Sequence, residues 1–173
     1  IPKLGTFEEI NLRFYVTRTE DDITKRGVVF INETIPYKIV AWMANKLYKE
    51  HYTVVPTKHK IAKSHIDQKI KFEWLLQKKW NSIYVENDLT SSEMEPDSLE
   101  KFIYEHYYGY TKIDSLKTEE YRLHHPSWRT HQVMNYDIDC DFKAMYGNSF
   151  SVLNDTIPSA VFIAEGSSVA IEW

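Results

Sequence analysis

From residue 9 to residue 17 the chain alternates apolar and polar side chains without a break. Ile10, Leu12, Phe14 and Val16 take one side, and Glu9, Asn11, Arg13, Tyr15 and Thr17 take the other. A period of two sustained over that length fixes a strand, because successive side chains of an extended backbone point to opposite faces. The pattern returns where Ile70, Phe72, Trp74 and Leu76 alternate with Lys69, Lys71 and Glu73. The polar step Gln77-Lys78-Lys79 leads into residues 80–87, so these two segments read as a hairpin. Residues 27–32 form a nearly continuous apolar run, expected as a strand buried on both faces. Further strands are expected at 110–113, 118–124 and 129–139. Two closing strands, 160–165 and 168–172, flank Gly166-Ser167 as a tight hairpin. Aromatic residues make up 14% of the chain, which favours pleated, half-buried surfaces.

Helical signals are fewer. Pro36 opens a helix to about residue 49, with Ile39, Trp42, Met43, Lys46 and Leu47 on one side. Residues 90–98 read as a polar loop. Asp97 and Glu100 then set a capping box for a helix running to about Tyr107, and a short helix at 142–146 stops at Gly147. About nine strands and two or three helices, without βαβ alternation, predict an α+β, mostly β fold. The architecture expected is an antiparallel or mixed β-barrel with helices outside it or across its mouth, all in one domain over residues 1–173. Area scaling predicts about 8,900 Å² of exposed surface for such a globule.

Composition excludes several functions. Apolar residues at 43% and charged residues at 27% describe neither a disordered chain nor a membrane span. With 21 basic and 25 acidic residues the net charge is −4, which disfavours a nucleic-acid partner. The basic stretch Lys58-His59-Lys60, continued by Lys63, Lys69 and Lys71, is expected as a solvated loop and strand edge. Cys140 stands alone, so there is no disulfide framework or cysteine-rich zinc site, and nothing nearby lowers its pKa. No run reaches the ~18 apolar residues of a membrane helix, and no signal peptide opens the chain, so a cytoplasmic location is expected. The chain starts at Ile1, which suggests a fragment or processed product.

Metal and cofactor chemistry is not expected. His124 and His125 are adjacent on a strand and face opposite ways, so they do not share an ion. Asp137, Asp139 and Asp141 fail the EF-hand pattern at Phe142 and Asn148 and read as a solvated face. There is no GxSxG elbow.

Two constellations remain as candidates. The Asn11/Arg13/Tyr15 face is either the wet side of an outer strand or the lining of a barrel. In the second case a guanidinium turned inward needs partners and is shaped to grip a carboxylate or phosphate. The run Tyr104-Glu105-His106-Tyr107-Tyr108-Gly109-Tyr110 is either aromatic packing of a helix on a sheet or a pocket wall. Tyr104 pairs with Tyr107 and Tyr108 at i+3 and i+4, which places them on one helix side. His125, held before Pro126 and near Trp128, reads as a pocket or core histidine.

Several segments together resemble the YqjF-like family, an uncharacterised group of the acetoacetate-decarboxylase-like superfamily. They are Phe7-Glu8-Glu9-Ile10-Asn11-Leu12-Arg13-Phe14-Tyr15-Val16, Arg26-Gly27-Val28-Val29-Phe30, Asn45-Lys46-Leu47-Tyr48 with Tyr52, and Ser98-Leu99-Glu100-Lys101-Phe102 with Glu105-His106-Tyr107-Tyr108. The most specific is His124-His125-Pro126-Ser127-Trp128, and the closing Ala164-Glu165-Gly166 and Val169-Ala170-Ile171-Glu172-Trp173 also match. The resemblance implies a β-barrel-type α+β fold with an internal cavity, and further N-terminal strands ahead of Ile1 whose absence would leave the barrel partly unpaired. The superfamily's decarboxylases use a Schiff-base lysine whose pKa a neighbouring lysine depresses. The comparable stretch here, from Leu47 to Pro56, has no lysine pair. Lys78-Lys79 falls in a hairpin turn, where a hydrated lysine keeps a pKa near ~10.4.

The function expected is that of a β-barrel binding a small anionic molecule. Arg13 holds the anion, and Asn11, Tyr15, Glu105, Tyr108, Tyr110, His125 and Trp128 shape the site. The alternative is a lyase or hydrolase acting on a small keto acid or carboxylate, with Glu105 and His125 as bases. An unpaired barrel edge would also recruit a second copy of the chain as a homo-oligomer.

Overall fold

A computed structural model of the chain describes residues 6–172. The expectation about the chain's start falls on residues 1–5, outside the described residues. The first strand, β1 (Ile10–Glu20), folds back on β2 (Ile23–Ile35) with register running from Ile10↔Thr34 to Glu20↔Ile23. Asp21 and Asp22 link them, with φ of 49° and 62°. Positive φ at both central residues is the mirror-image turn that matches strand twist, and aspartate tolerates it. The register slips between Leu12 and Arg13, which face Asn32 and Phe30, so Ile31 is an extra residue on β2. That bulge re-aims the side chains on either side of it.

Beyond Pro36 the chain forms α1 (Lys38–Met43), continues through a π-helical turn at Ala44–Tyr48, and stops at Lys49 with φ 57°. Small Ala41 is the buried residue of α1. The side carrying Ile39, Trp42, Met43 and Leu47 faces solvent, with Trp42 58% exposed. Strand β3 (Tyr52–Val54) then runs parallel to the end of β2.

Five strands make one antiparallel sheet. They are β4 (Thr57–Lys63), β5 (Asp67–Leu76), β6 (Lys79–Ser92), β9 (Thr130–Asp139) and β10 (Phe162–Ala164), in the order β10-β9-β6-β5-β4. The basic run forms edge strand β4, where exposed lysines discourage pairing with another chain. The β5–β6 hairpin turns at Gln77-Lys78, both at positive φ. Strand β6 extends to Ser92, so the polar loop starts later than its composition suggests. Register shifts at Glu86/Asn87 and Asn87/Ser91 curl this sheet into a half-barrel. Trp74 is 1% exposed, and its indole N–H points at the Met145 sulfur at 3.1 Å.

The other sheet has the order β1-β2-β7-β8-β11, with β3 beside β2. It includes β7 (Tyr108–Lys112), β8 (Thr118–His124) and β11 (Ala170–Glu172). β2 and β7 pair in parallel through Gly27↔Tyr108 and Val28↔Gly109. A Cβ at Gly109 would lie 2.0 Å from the Tyr121 ring, so glycine is what lets that ring lie flat across the strand.

Four expectations are corrected. Helix α2 (Leu99–Tyr104) is capped by Ser98, whose Oγ accepts from the Lys101 N–H at 3.1 Å, while Asp97 sits at φ 62°. It ends at Tyr104, so Tyr107 and Tyr108 leave its face. The closing strands are no hairpin: β10 pairs with β9, β11 with β8, and residues 165–169 cross between the sheets. Among the described residues neither sheet closes into a barrel. Open sheets leave wet what closure would cover, and the exposed surface is 11626 Å². The short helix is confirmed as α3 (Phe142–Tyr146), and a 3-10 turn follows at Asn148–Asn154.

Candidate functional site

A cavity of about 690 Å³ lies against the six-stranded sheet. Its strand residues are Arg13 of β1, Phe30 and Glu33 of β2, Tyr52 of β3, Tyr121 and Leu123 of β8, and Ile171 of β11. Helix α2 supplies Tyr104, the π-helical turn supplies Ala44 and Tyr48, and connecting segments supply Glu9, Glu50, His106, His125, Trp128 and Val169.

One wall is acidic. Glu33 and Tyr52 are cross-strand partners, and the Tyr52 hydroxyl donates to Glu33 Oε1 at 2.9 Å. Glu33 is only 6% exposed, and its Oε2 is buried with no hydrogen-bond partner. Burial pushes its pKa up to about 8; the Tyr52 bond opposes this, while Glu50 and Glu9 reinforce it. Burial also raises Glu50, against a 2.6 Å bond donated by Thr111 Oγ1. Glu9 is exposed, and its surroundings desolvate it enough to raise it too, against a hydrogen bond from Asn11. The loop placing Glu50 and Tyr52 is tied down on both sides. Asn32 Nδ2 donates to the His51 carbonyl at 2.7 Å, and the Asn45 side chain bonds the Tyr52 N–H and C=O at 2.7 and 3.0 Å.

The other wall is basic and aromatic. The Arg13 guanidinium lies 5.7 Å from the Tyr15 ring centre and 5.9 Å from that of Phe30. Among the described residues no carboxylate forms an ion pair with it. His106 is 5% exposed, and burial, then Arg13, push its pKa down to about 4, leaving a neutral imidazole. His125 stacks on Trp128 at 4.4 Å and its Nδ1 bonds the Pro126 carbonyl at 2.9 Å. The Trp128 indole donates to Ser167 Oγ at 2.8 Å, and Tyr104 meets the Trp128 ring edge-on at 5.4 Å. Tyr121 lines the same cavity, where burial, then Glu50 and Glu33, raise its pKa and Arg13 opposes them. Among the described residues no group of three or more His, Cys, Asp or Glu side chains is placed to hold a metal ion.

The residues expected from sequence divide. Arg13, His125 and Trp128 come together in the cavity wall. Asn11 is exposed and serves Glu9. Tyr15 opens onto a smaller neighbouring cavity of about 130 Å³, its ring 5.3 Å from that of His106. Glu105 points to a separate groove. Burial would raise Glu105, but bonds from Ser127, at 2.5 Å, and Tyr107 outweigh that and hold its pKa below the usual value. Tyr108 lies under the Lys25 ammonium at 5.2 Å, and Tyr110 is buried across Gly27. The acidic wall and Tyr121 escaped the sequence reading. Its one signal was a carboxylate, Glu33, just past an apolar run, and the Ile31 bulge that puts Phe30 and Glu33 on one cavity has no sequence mark.

Fold and site define a mostly β protein with a ligand-sized cavity of mixed charge. The chain belongs to the DUF2071 family of uncharacterized conserved proteins, whose model matches residues 1–168. No curated protein matches it. No helix among the described residues is long and apolar enough to cross a membrane.

Proposed function

We propose that the protein binds a small organic anion in the cavity, with Arg13 as the group that holds it. The observation behind this is a guanidinium that faces the cavity within 6 Å of two aromatic ring centres and has no carboxylate partner among the described residues. Leaving such a charge half-buried is costly, and a carboxylate or phosphate satisfies its planar fork with two parallel bonds. Leu123, Val169 and Ile171 offer apolar surface for the ligand's carbon skeleton. Kinship with acetoacetate-decarboxylase-like proteins belongs to the same proposal, supported by a mostly β frame around a cavity lined by charged, aromatic and aliphatic side chains.

Trp128 provides the test, since its indole lines the cavity. Titrating short straight-chain carboxylates and inorganic phosphate should change its fluorescence saturably. Arg13→Ala should weaken binding by about tenfold or more, the scale of a lost charge-assisted bond, with the melting temperature retained. Equal affinity in the variant overturns the assignment.

One observation favours the second reading, a lyase or hydrolase acting on a small keto acid or carboxylate. Glu33, held near 8 by burial, can exchange a proton close to neutral pH. No lysine is among the described residues that line the cavity, so acid–base chemistry suits them better than Schiff-base chemistry. A keto-acid panel consumed at a rate that titrates with Glu33, and not consumed by Glu33→Gln, supports it. A panel left intact by the wild type removes it.

A further inference from the structure

The acidic wall asks for something an anion does not provide. Three carboxylates from separate parts of the chain, Glu9, Glu33 and Glu50, face one cavity with Arg13. Their hydrogen-bond partners Asn11, Tyr52 and Thr111 satisfy them in part, but the buried Glu33 Oε2 has none. Once the carboxyl is ionised, an oxygen in that position calls for a donor from whatever fills the space, since a buried polar atom without a partner is destabilising.

The ends of the site are separated along the sheet. Glu33 pairs in register with Asn11, and Arg13 pairs with Phe30. Arg13 is therefore two strand positions further along β1, a rise of roughly 7 Å. Consistent with this, the groups acting on Glu33 are Tyr52, Glu50 and Glu9, whereas Arg13 acts on His106 and Tyr104. The acids do not converge as metal ligands. A bare divalent ion is thus a poorer match than an extended organic cation, which brings several N–H donors over a larger volume.

We propose that the cavity takes a bipolar molecule, with its anionic group on Arg13 and an ammonium or similar nitrogen cation at the Glu33 Oε2 end between Glu9 and Glu50. This rests on the anion-binding reading and extends it to the other end of the ligand. A cation arriving beside Glu33 favours its ionised form, so at neutral pH binding releases a proton from that carboxyl to solvent. Tyr121, which both Glu33 and Arg13 influence, offers its ring to the connecting carbon chain.

The test compares three probe series of three to eight carbons on the wild-type protein at neutral pH: straight-chain ω-amino acids, alkanoates and primary alkylamines. At one chain length the ω-amino acid should bind at least about tenfold tighter than the alkanoate, an added charge-assisted contact being worth that much. Calorimetry in buffers of different ionisation enthalpy should show a proton released with the ω-amino acid and none with the alkanoate. In Glu33→Gln, which keeps the shape, the proton release should vanish and the preference shrink. Alkanoates that bind as tightly as ω-amino acids at every length overturn the bipolar assignment and leave the anion reading standing. If neither acid series binds, or only the alkylamines do, both readings fall.

Discussion

The two sheets differ in what they do with their buried faces. The five-stranded sheet contributes no residue to the cavity wall, and it buries Ile70, Trp74 and Val85. It also buries Asn81, Ser82, Asn87 and Thr130; Asn81 Oδ1 accepts the Asp141 N–H at 2.9 Å at the start of α3, whereas the buried Asn87 Oδ1 has no hydrogen-bond partner among the described residues. The six-stranded sheet supplies every strand residue of the cavity and buries Glu33, Thr34 and Thr111 alongside Val28 and Ile35. Two antiparallel hairpins continuous in register, β4–β5 and β5–β6, build three strands of the first, and its register shifts fall between β6 and β9. A bulge, two parallel pairings and two close-packed glycines build the second. Irregular pairing is how a sheet aims polar side chains into a space that regular alternation would fill with apolar ones.

The strongest way to break this division is Trp74→Ala. A side chain that is 99% buried leaves a large void in the five-stranded sheet, with an expected loss of about 3–5 kcal/mol in urea unfolding. Leu123→Ala enlarges a space that already exists, so its cost should be clearly smaller. Similar losses for the two would mean that both sheets carry stability alike.

A smaller effect separates the sheets by pH. Glu33 binds its proton more tightly folded, near 8, than at the ordinary 4.5. Between those values the folded state holds the extra proton, so stability falls as pH rises, and the full cost is in place above about 8. His106 runs the other way: its pKa is near 4 folded against 6.5, so stability falls as pH drops through that interval. The two slopes oppose each other between 4.5 and 6.5, leaving a decline on the alkaline side due to Glu33. Glu33→Gln should remove that decline, leaving the variant roughly 2 kcal/mol more stable than wild type at pH 9, a discounted share of the full shift. Trp74→Ala should keep it. An unchanged alkaline slope in Glu33→Gln would show the acidic wall to be well hydrated.

The same division decides how much was legible beforehand. Strands β8 and β9, helix α3 and the β5–β6 hairpin lie within a residue or a few of their expected limits, because period-two alternation and turn residues are local signals. Strand β3 was missed, being too short to show a period, and β4 was expected only as a solvated loop and strand edge because its lysines hide the alternation. Gly166-Ser167 has hairpin chemistry, yet residues on either side find partners in different sheets, a tertiary choice that local sequence does not encode. Arg13, His125 and Trp128 were legible as chemistry. Glu33 and Tyr52 were not, since their adjacency depends on a parallel pairing between β2 and a three-residue strand.

The smallest effect tests where the two sheets are joined. Helix α2 places Tyr104 against Trp128 of the cavity wall and, at 5.5 Å, against Phe162 of β10 in the five-stranded sheet. Its first turn depends on Ser98, which is the only side-chain cap it has among the described residues. Ser98→Ala should therefore cost about 1 kcal/mol, the usual value of an N-cap. If α2 couples the sheets, the loss appears in global unfolding by every probe, and hydrogen exchange quickens equally in β6 and β8. If the helix frays alone, only amides near Leu99–Tyr104 exchange faster while Trp74 and Val28 report an unchanged transition. The second outcome would make the sheets separate cooperative units, with Tyr104 a movable part of the cavity wall.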